Sequence, residues 1–139
     1  MRSIWKSYLP TQEELNESED YCSNKGYIFV FGSNEAGIHG AGAAAAALAK
    51  YGAKWGVGFG HVGNSFAIPS KNGNFDILTL DQISKYAGDF VKYAEEHPDL
   101  KFYVTRIGCG LAGFDDSDIA PLFENAPINC KLPKGWRND

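Results

Sequence analysis

Two glycine-rich segments hold the residues of this chain whose types and spacing best suit chemistry. The first covers residues 32–42 and follows an unbroken apolar run, residues 27–31, of the kind found in buried strands. The second covers residues 106–114 and follows another strand-like run, residues 101–105. Each segment leads into a predicted helix, where backbone N–H groups attract anions and glycine allows a phosphate to approach closely. Together the two segments predict a site that could hold a diphosphate.

These glycines also have an architectural explanation, since glycine permits tight turns and close packing of a helix against a sheet. Two such loops at equivalent strand ends favour a ligand site, because open α/β sheets bind ligands beyond the carboxyl ends of their strands. No GxxxxGK[ST] segment occurs, which excludes a P-loop. The glycine-rich run 56–60 has no helix after it, so a dinucleotide fingerprint is disfavoured. We expect the binding cleft to be built from loops 32–42, 56–64 and 107–115.

The segments that must position these loops alternate between strand and helix patterns. Strands are predicted at four places: 27–31, 65–69, 101–105 and 128–132. Helices are predicted at three places: 43–51, the segment from a Thr79/Gln82 capping box towards His97, and a short segment after the capping run 115–118 with Pro121 in its first turn. Pro69 is expected to end the second strand. This alternation predicts an α/β fold with a mainly parallel central sheet.

Charge is distributed unevenly along the chain. Between residues 26 and 75 there are only four charged side chains: Glu35, Lys50, Lys54 and Lys71. Small residues with few charges let the backbone come close to another backbone or to a ligand. Residues 1–25, in contrast, are polar and acidic and are predicted to form an N-terminal arm, either a solvated leader or a short surface helix. Residues 26–139 are predicted to form a single domain.

Composition narrows the classes of function. The net charge is −4 and the pI is near 5.3, whereas a general nucleic-acid binder needs a basic face. No apolar run approaches the roughly 20 residues of a membrane helix, and the N-terminus lacks the apolar region of a secretory signal, so we expect a cytoplasmic protein without membrane insertion. The three cysteines, Cys22, Cys109 and Cys130, show no CxxC spacing, which argues against disulfides and structural zinc. We expect neither a metal nor a cofactor.

Three motifs resemble those of a known family. Phe31-Gly32-Ser33-Asn34, followed by a glycine-rich loop and an alanine-rich helix, resembles the start of the macrodomain, an ADP-ribose-binding module. Arg106-Ile107-Gly108-Cys109-Gly110-Leu111 is similar to the second phosphate loop of macrodomains, most closely of the terminal ADP-ribose protein glycohydrolase type. Phe66-Ala67-Ile68-Pro69-Ser70-Lys71 looks like that group's strand ending in a catalytic lysine. The resemblance covers about residues 26–130 in the same order and extends to small macro-like proteins of phages and prophages.

The resemblance implies a three-layer macrodomain-like fold that binds ADP-ribose or a related ADP-ribosyl nucleotide. One alternative is an ADP-ribosyl hydrolase that acts on an ADP-ribosylated macromolecule, with Lys71 as nucleophile towards C1″ and Asp115 or Asp116 as its acid–base partner. A second is a phage-type protein that sequesters an ADP-ribose-derived signal without catalysis. A third is a structural or interaction domain that binds no nucleotide. Lys71 could also be an exposed loop lysine or an electrostatic contact to phosphate.

The resemblance also implies the ligand-binding residues. Asn34 would lie near the distal ribose, and Phe114 would stack on a ring of the ligand or fill the core beside its loop. The first phosphate loop would be lined by Gly37, Ile38, His39, Gly40, Ala41 and Gly42. The second would be lined by Gly108, Cys109, Gly110, Leu111, Ala112 and Gly113.

Several of these residues have a second interpretation. His39 could donate to phosphate or ribose, or make a structural hydrogen bond. Cys109 could have a lowered thiol pKa or act as a small packing residue. Arg106 could form an ion pair with Asp115 or Asp116. His61, in the third glycine-rich loop, is a further candidate for a role in the site.

The chain departs from the family pattern at two places. Glycohydrolases of this type carry an aspartate after the GCGL glycine, whereas this chain has Leu111-Ala112-Gly113, and Asp115 and Asp116 are the nearest carboxylates. The Gly-Asp pair whose aspartate holds the adenine amine in many macrodomains does not occur in the N-terminal segment. The base of the ligand therefore stays open.

Overall fold

The chain folds around a mixed sheet, seen in a computed structural model that describes residues 11–40, 42–109 and 112–137. Within these residues the sheet has five strands: β1 Ile28–Asn34, β2 Gly60–Val62, β3 Ser65–Lys71, β4 Phe102–Val104 and β5 Cys130–Lys131. Their order across the sheet is β2-β3-β1-β4-β5. Only β2 pairs antiparallel, with β3, and the other pairs are parallel. The predicted α/β class and mainly parallel sheet are confirmed.

The first four residues of β1, 28–31, are apolar without interruption, as expected of a strand whose sheet is covered by helices on both faces. Ile28 and Val30 belong to one buried cluster, while Phe29 and Phe31 belong to another on the opposite face. Successive side chains of a strand point to opposite faces, so an alternating pattern would expose one of them. The central position of β1 between β3 and β4 therefore follows from its sequence.

Helices lie on both sides of the sheet, an arrangement compatible with a three-layer α/β fold. Within the described residues the α-helices are α1 Gln12–Glu19, α2 Gly42–Lys50, α3 Leu80–Glu96 and α4 Asp116–Ile119. Helix α3 buries Ala87 and Phe90 in the cluster that contains Ile28 and Val30. Helix α2 buries Ala44 and Ala47 against Phe29 and Phe31, and the small alanine side chains allow a close approach.

The predicted capping box of α3 is confirmed. The Oγ1 atom of Thr79 accepts a hydrogen bond from the Gln82 N–H at 3.2 Å, and the Gln82 side chain accepts one from the Thr79 N–H at 3.0 Å. Helix α3 ends at Glu96, and His97 follows as its C-cap residue before Pro98. The short helix α4 continues as a 3-10 helix, Ala120–Phe123, which begins with Pro121 near its N-terminus.

All four predicted strands have different boundaries in the structure. Strand β1 spans Ile28–Asn34 instead of residues 27–31, so its last three residues belong to the segment predicted as the start of the first loop, and β4 spans Phe102–Val104 instead of residues 101–105. Strand β3 continues through Pro69 to Lys71, because Pro69 lies opposite Ser33, next to a register shift between Ser33 and Asn34. A bulge at this point tolerates a residue without an N–H donor. The last strand is limited to Cys130–Lys131 instead of residues 128–132.

Strand β2 lies within residues 56–64, which were predicted to form only a loop. Its three residues pair antiparallel with β3 through the turn at Gly63 and Asn64. A three-residue strand is too short to show an alternating pattern in the sequence.

The described part of the predicted polar arm, residues 11–25, is mainly helical. Helix α1 begins at a capping box between Thr11 and Glu14 and buries none of its side chains. A π-helix, Asp20–Asn24, follows and buries Cys22 against the sheet. Residues 1–10 lie outside the described residues. None of the described helices has the length and apolar character needed to cross a bilayer.

Replacing Phe90 with Ala tests the larger core cluster. Phe90 is fully buried, and its ring lies 5.0 Å from that of Phe66 and 5.3 Å from that of Phe102. We expect Phe90→Ala to lower the free energy of unfolding by about 3–5 kcal/mol, measured by urea denaturation. Phe75→Ala is the matched control, because Phe75 is half exposed and its loss should change stability by less than about 0.5 kcal/mol. Equal losses in the two variants would contradict the assignment of this core.

Candidate functional site

The carboxyl ends of three neighbouring parallel strands bring the predicted site segments to one edge of the sheet. Asn34 at the end of β1 lies in register with Lys71 at the end of β3, and the Glu35 N–H donates to the Lys71 carbonyl at 2.9 Å. On the other side of β1, a Cβ added to Gly32 would lie 3.7 Å from the Gly108 nitrogen. The first loop, Lys71 and the second loop are therefore neighbours, as expected for a ligand site in an open α/β sheet.

The side chain of Asn34 holds the first loop in place. Its Nδ2 group donates to the Ile38 carbonyl at 2.8 Å, and its Oδ1 atom accepts from the Ile38 N–H at 3.0 Å. The Gly37 N–H donates to the Asn34 carbonyl at 2.9 Å, which closes the turn. Asn34 thus has the turn-forming role that a short amide suits. Its contact to ribose stays a prediction.

His39 is buried below the first loop and is held by two protein partners. Its Nε2–H donates to the Lys54 carbonyl at 2.9 Å, so the Nδ1 atom is the acceptor for the Ser33 hydroxyl 3.1 Å away. The ring packs edge-on against Phe31 and Trp55. These contacts give His39 a structural role in joining the first loop to the turn after α2, and its contact to a ligand stays a prediction.

The glycines of the first loop fall into two groups. A Cβ at Gly37, where φ is +71°, would overlap the backbone of Gly56 and Val57, and a Cβ at Gly58 would overlap the Asn34 carbonyl. These two positions serve close packing between the first loop and the turn that contains residues 54–58. Gly40 and Gly42 differ, because a Cβ at either position would meet no atom within 4 Å. The space beside them is open to a ligand.

The described part of the second loop forms a tight turn against the core. Gly108 has φ of +79°, and its carbonyl accepts from the Phe114 N–H at 2.8 Å. Phe114 is half-buried and packs against the larger core cluster, so it fills the core beside the loop. Ala112 is buried beside it, and Gly113 is half-buried with φ of +80°. Three predicted site residues, Ala41, Gly110 and Leu111, lie outside the described residues.

Asp116 is the acceptor at the centre of a polar network behind the second loop. Its Oδ2 atom accepts from the Arg106 guanidinium at 2.6 Å, and its Oδ1 atom accepts from the Trp136 indole N–H at 3.0 Å and faces the Cys109 Sγ at 3.5 Å. Of the two partners predicted for Arg106, Asp116 is confirmed. Arg106 also lies 3.5 Å from a Glu14 carboxylate oxygen, which links α1 to the network.

The network affects the ionisation of two predicted site residues. Burial acts to raise the pKa of Asp116, but the hydrogen bonds from Trp136 and Arg106 and the charge of Arg106 outweigh it and hold that pKa below its usual value. Burial, together with the Asp116 carboxylate, raises the pKa of the Cys109 thiol to about 12. Cys109 is therefore a protonated packing residue, the second of its two interpretations.

Lys71 has the exposure and position that a ligand contact requires. It is half-exposed at the end of β3, and its ammonium group makes no hydrogen bond or ion pair with the residues that the structure describes. The carboxylate of Asp116 is already used by Arg106 and Trp136, whereas Asp115 lies at the start of α4 and donates its N–H to Asp118 at 3.1 Å. Neither aspartate is placed in contact with Lys71.

Glu35 is a carboxylate of this edge that sequence reasoning did not select. It follows Asn34, is exposed, and accepts a hydrogen bond from the Tyr86 hydroxyl of α3. This hydrogen bond, with burial and the negative charge of Glu35, raises the pKa of Tyr86 to about 12. The sequence does contain a feature that could have identified Glu35 as a candidate site residue, because it is the one acidic residue between residues 26 and 75.

A shallow pocket of about 480 Å³ lies at the opposite edge of the sheet, near the amino ends of the strands. Its lining includes Lys25, His61, Asn64 and Lys101. His61 bonds to the Tyr93 hydroxyl and the Gly63 carbonyl, and it is therefore separate from the edge that holds the two loops. Lys101 lies over the Tyr27 ring, 5.7 Å from its centre.

Within the described residues, no three His, Cys, Asp or Glu side chains are grouped closely enough to hold a metal ion. Comparison of the chain with protein-family models, with curated proteins and with solved structures found no match. A function must therefore be argued from the chemistry of the site residues themselves.

The polar network around Asp116 predicts a pH dependence of stability. Because the pKa of Asp116 is lowered on folding, its contribution is complete above its unfolded pKa of about 4 and is lost as the pH falls through the folded pKa. Asp116→Asn should lower the free energy of unfolding at pH 7 by on the order of 1 kcal/mol, a value reduced by the exposure of the carboxylate. The difference from the wild type should shrink as the pH falls below about 4.

Urea denaturation between pH 3 and pH 7 measures this effect. Asp89→Asn, which neutralises an exposed carboxylate of α3, is the control and should show no such trend. A stability difference for Asp116→Asn that stays constant with pH would contradict an ionic role for Asp116.

Proposed function

We propose that this chain binds ADP-ribose or a related ADP-ribosyl nucleotide through two glycine-rich phosphate loops, in the manner of a macrodomain. The observation that carries the proposal is the common edge formed by the ends of β1, β3 and β4. Asn34 lies beside Lys71 there, and Gly32 lies beside Gly108, so both loops and the lysine belong to the same edge of the sheet. The three motifs that resemble macrodomain segments are far apart in the chain, and this neighbourhood is what a shared ligand would require.

The first loop has the features of an anion site. Gly40 and Gly42 leave open space on the side where a Cβ would lie, and Gly42 begins the nine-residue helix α2. The N–H groups at a helix start are not used within the helix, and the helix dipole favours negative charge near them. The chain as a whole has a net charge of −4, so phosphate binding would depend on these amides.

The second loop follows β4, the strand next to β1, and would bind the other phosphate. The positive φ angles of Gly108 and Gly113 form a tight turn whose backbone can approach a ligand. Behind it, the Arg106–Asp116–Trp136 network fixes the orientation of the turn. The architectural explanation of these glycines applies to Gly37 and Gly58, and also to Gly42, whose φ of +59° favours glycine, but it leaves the open position Gly40 unexplained.

A second candidate function, hydrolysis of an ADP-ribosyl bond, is favoured by the unpaired position of Lys71 among the described residues. In this reaction the neutral amine of Lys71 would form a bond to C1″ as the bond from C1″ to the acceptor breaks, and water would then release ADP-ribose and restore the amine. A carboxylate must take up and return protons. Glu35 is the candidate, because its N–H donates to the Lys71 carbonyl and its carboxylate is hydrogen-bonded to a neutral group, the Tyr86 hydroxyl, whereas the Asp116 carboxylate is ion-paired with Arg106.

Calorimetric titration with ADP-ribose, with AMP and NAD as comparison ligands, tests the binding proposal. We expect micromolar binding that is selective for ADP-ribose. Gly40→Ala should weaken it by about ten-fold or more, because the added methyl group fills space that the phosphate would occupy. Gly88→Ala on the exposed side of α3 is the control, since its Cβ also meets no atom within 4 Å and should leave affinity unchanged. Unchanged affinity in Gly40→Ala, or no binding by the wild type, would overturn the proposal.

Replacing Lys71 with Ala separates a hydrolase from a sequestering protein. For a hydrolase we expect release of ADP-ribose from an ADP-ribosylated protein to fall by about 100-fold or more, because the nucleophile is lost. The affinity for free ADP-ribose should change by much less, and Lys85→Ala on α3 serves as the control. A wild-type protein that binds ADP-ribose but releases none from the substrate would favour sequestration. Full activity in Lys71→Ala would rule out the lysine mechanism.

A further inference from the structure

Trp55 is the most exposed aromatic side chain in the described part of the chain. It is 59 % exposed. It lies in the turn after α2, between the exposed Lys54 and Gly56. The ring contact of the indole is with His39, with 6.3 Å between the ring centres, and its neighbours in sequence are a charged and a small residue.

The turn that carries Trp55 is rigid and is joined to the first loop. The Gly56 N–H donates to the Gly37 carbonyl at 2.9 Å, and the His39 imidazole donates to the Lys54 carbonyl at 2.9 Å. The absence of a side chain at Gly37 allows the two backbones to touch. The indole lies edge-on to the His39 ring, with 6.3 Å between the ring centres. Trp55 is thus held at a fixed place beside the loop that is proposed to bind phosphate.

A lysine next to Trp55 in sequence and two open glycine positions in the first loop could bind the charged part of a ligand. The Lys54 ammonium group is exposed and has no hydrogen bond or ion pair with the residues that the structure describes. Gly40 and Gly42, on the other side of His39 in the chain, leave open space for an anion. An aromatic ring and a cation on a turn that is hydrogen-bonded to the first loop, together with the open positions of that loop, match a ligand that joins an aromatic base to phosphate.

We propose that Trp55 is the stacking platform for the nucleobase of the bound ADP-ribosyl nucleotide. The inference rests on the proposed function and adds the residue that holds the base. The N-terminal segment has no Gly-Asp pair whose aspartate could bind the amine of adenine. Stacking contacts the face of a base, so it can hold the base without a carboxylate at the edge of the base. Every base has such a face, and stacking on an aromatic side chain is tolerant of base identity.

Two substitutions at position 55 test the stacking role by titration with ADP-ribose. Trp55→Phe keeps an aromatic face and should retain the wild-type affinity to within about three-fold. Trp55→Leu keeps an apolar side chain but removes the aromatic face, and should weaken binding by about 5- to 100-fold. Ile128→Ala, at an exposed apolar residue that precedes β5, is the control and should bind as the wild type does. Thermal melting of each variant checks that the fold is unchanged.

The outcomes separate the inference from the function on which it rests. A wild-type protein that does not bind ADP-ribose overturns the proposed function and this inference with it. If the wild type binds, equal affinities for Trp55→Leu and Trp55→Phe overturn the stacking role alone, whether both are unchanged or both are weakened. Loss confined to Trp55→Leu supports stacking.

Discussion

The burial of β1 on both faces is the constraint on which the rest of the structure depends. A strand with apolar side chains on both sides must lie inside a sheet that is covered twice, so β3 and β4 flank it and helices pack above and below. Parallel pairing with both neighbours then directs three strand ends to the same edge. Asn34 and Lys71, two of the candidate site residues, are the last residues of β1 and β3, and the second loop follows β4. The site is therefore a consequence of the way that the core is built.

Much of this arrangement could be predicted from local patterns, for reasons that differ between elements. The unbroken run Ile28 to Phe31 and the Thr79 capping box depend on neighbours in sequence, and both are confirmed. Strand β2 and the passage of β3 through Pro69 depend on pairing with a distant strand, which a local pattern does not contain. The parallel sheet was predicted because alternating strands and helices leave few other topologies.

The candidate site could be predicted only in part, because it too depends on contacts between segments that are distant in sequence. Its glycines were visible in the sequence, but their division into packing positions, such as Gly37, and open positions, such as Gly40, depends on which backbone lies opposite. Asn34 and His39 were selected for ligand contact, and the structure shows that both also hold the first loop through hydrogen bonds. Glu35 was visible as an isolated acidic residue, but its hydrogen bond to Tyr86 joins residues 51 positions apart. Polar side chains next to a buried strand first form hydrogen bonds with the backbone N–H and carbonyl groups around them. Only the polar groups that are left without such a partner are available to a ligand.

The acidic composition of the N-terminal arm has an explanation in its contacts with the domain. Helix α1 buries none of its side chains, so its contacts with the body of the protein are mainly ionic and polar. Glu14 faces Arg106, Glu17 accepts from the Tyr103 hydroxyl at 2.9 Å, and Glu19 lies 3.4 Å from Lys50. Charge contacts at a surface are screened by salt, so the docking of α1 should weaken as ionic strength rises. Because Arg106 is shared between Glu14 and Asp116, a displacement of α1 would change the charge balance directly behind the second loop. The described part of the arm, residues 11–25, is thereby coupled to the second loop through the Arg106 guanidinium group.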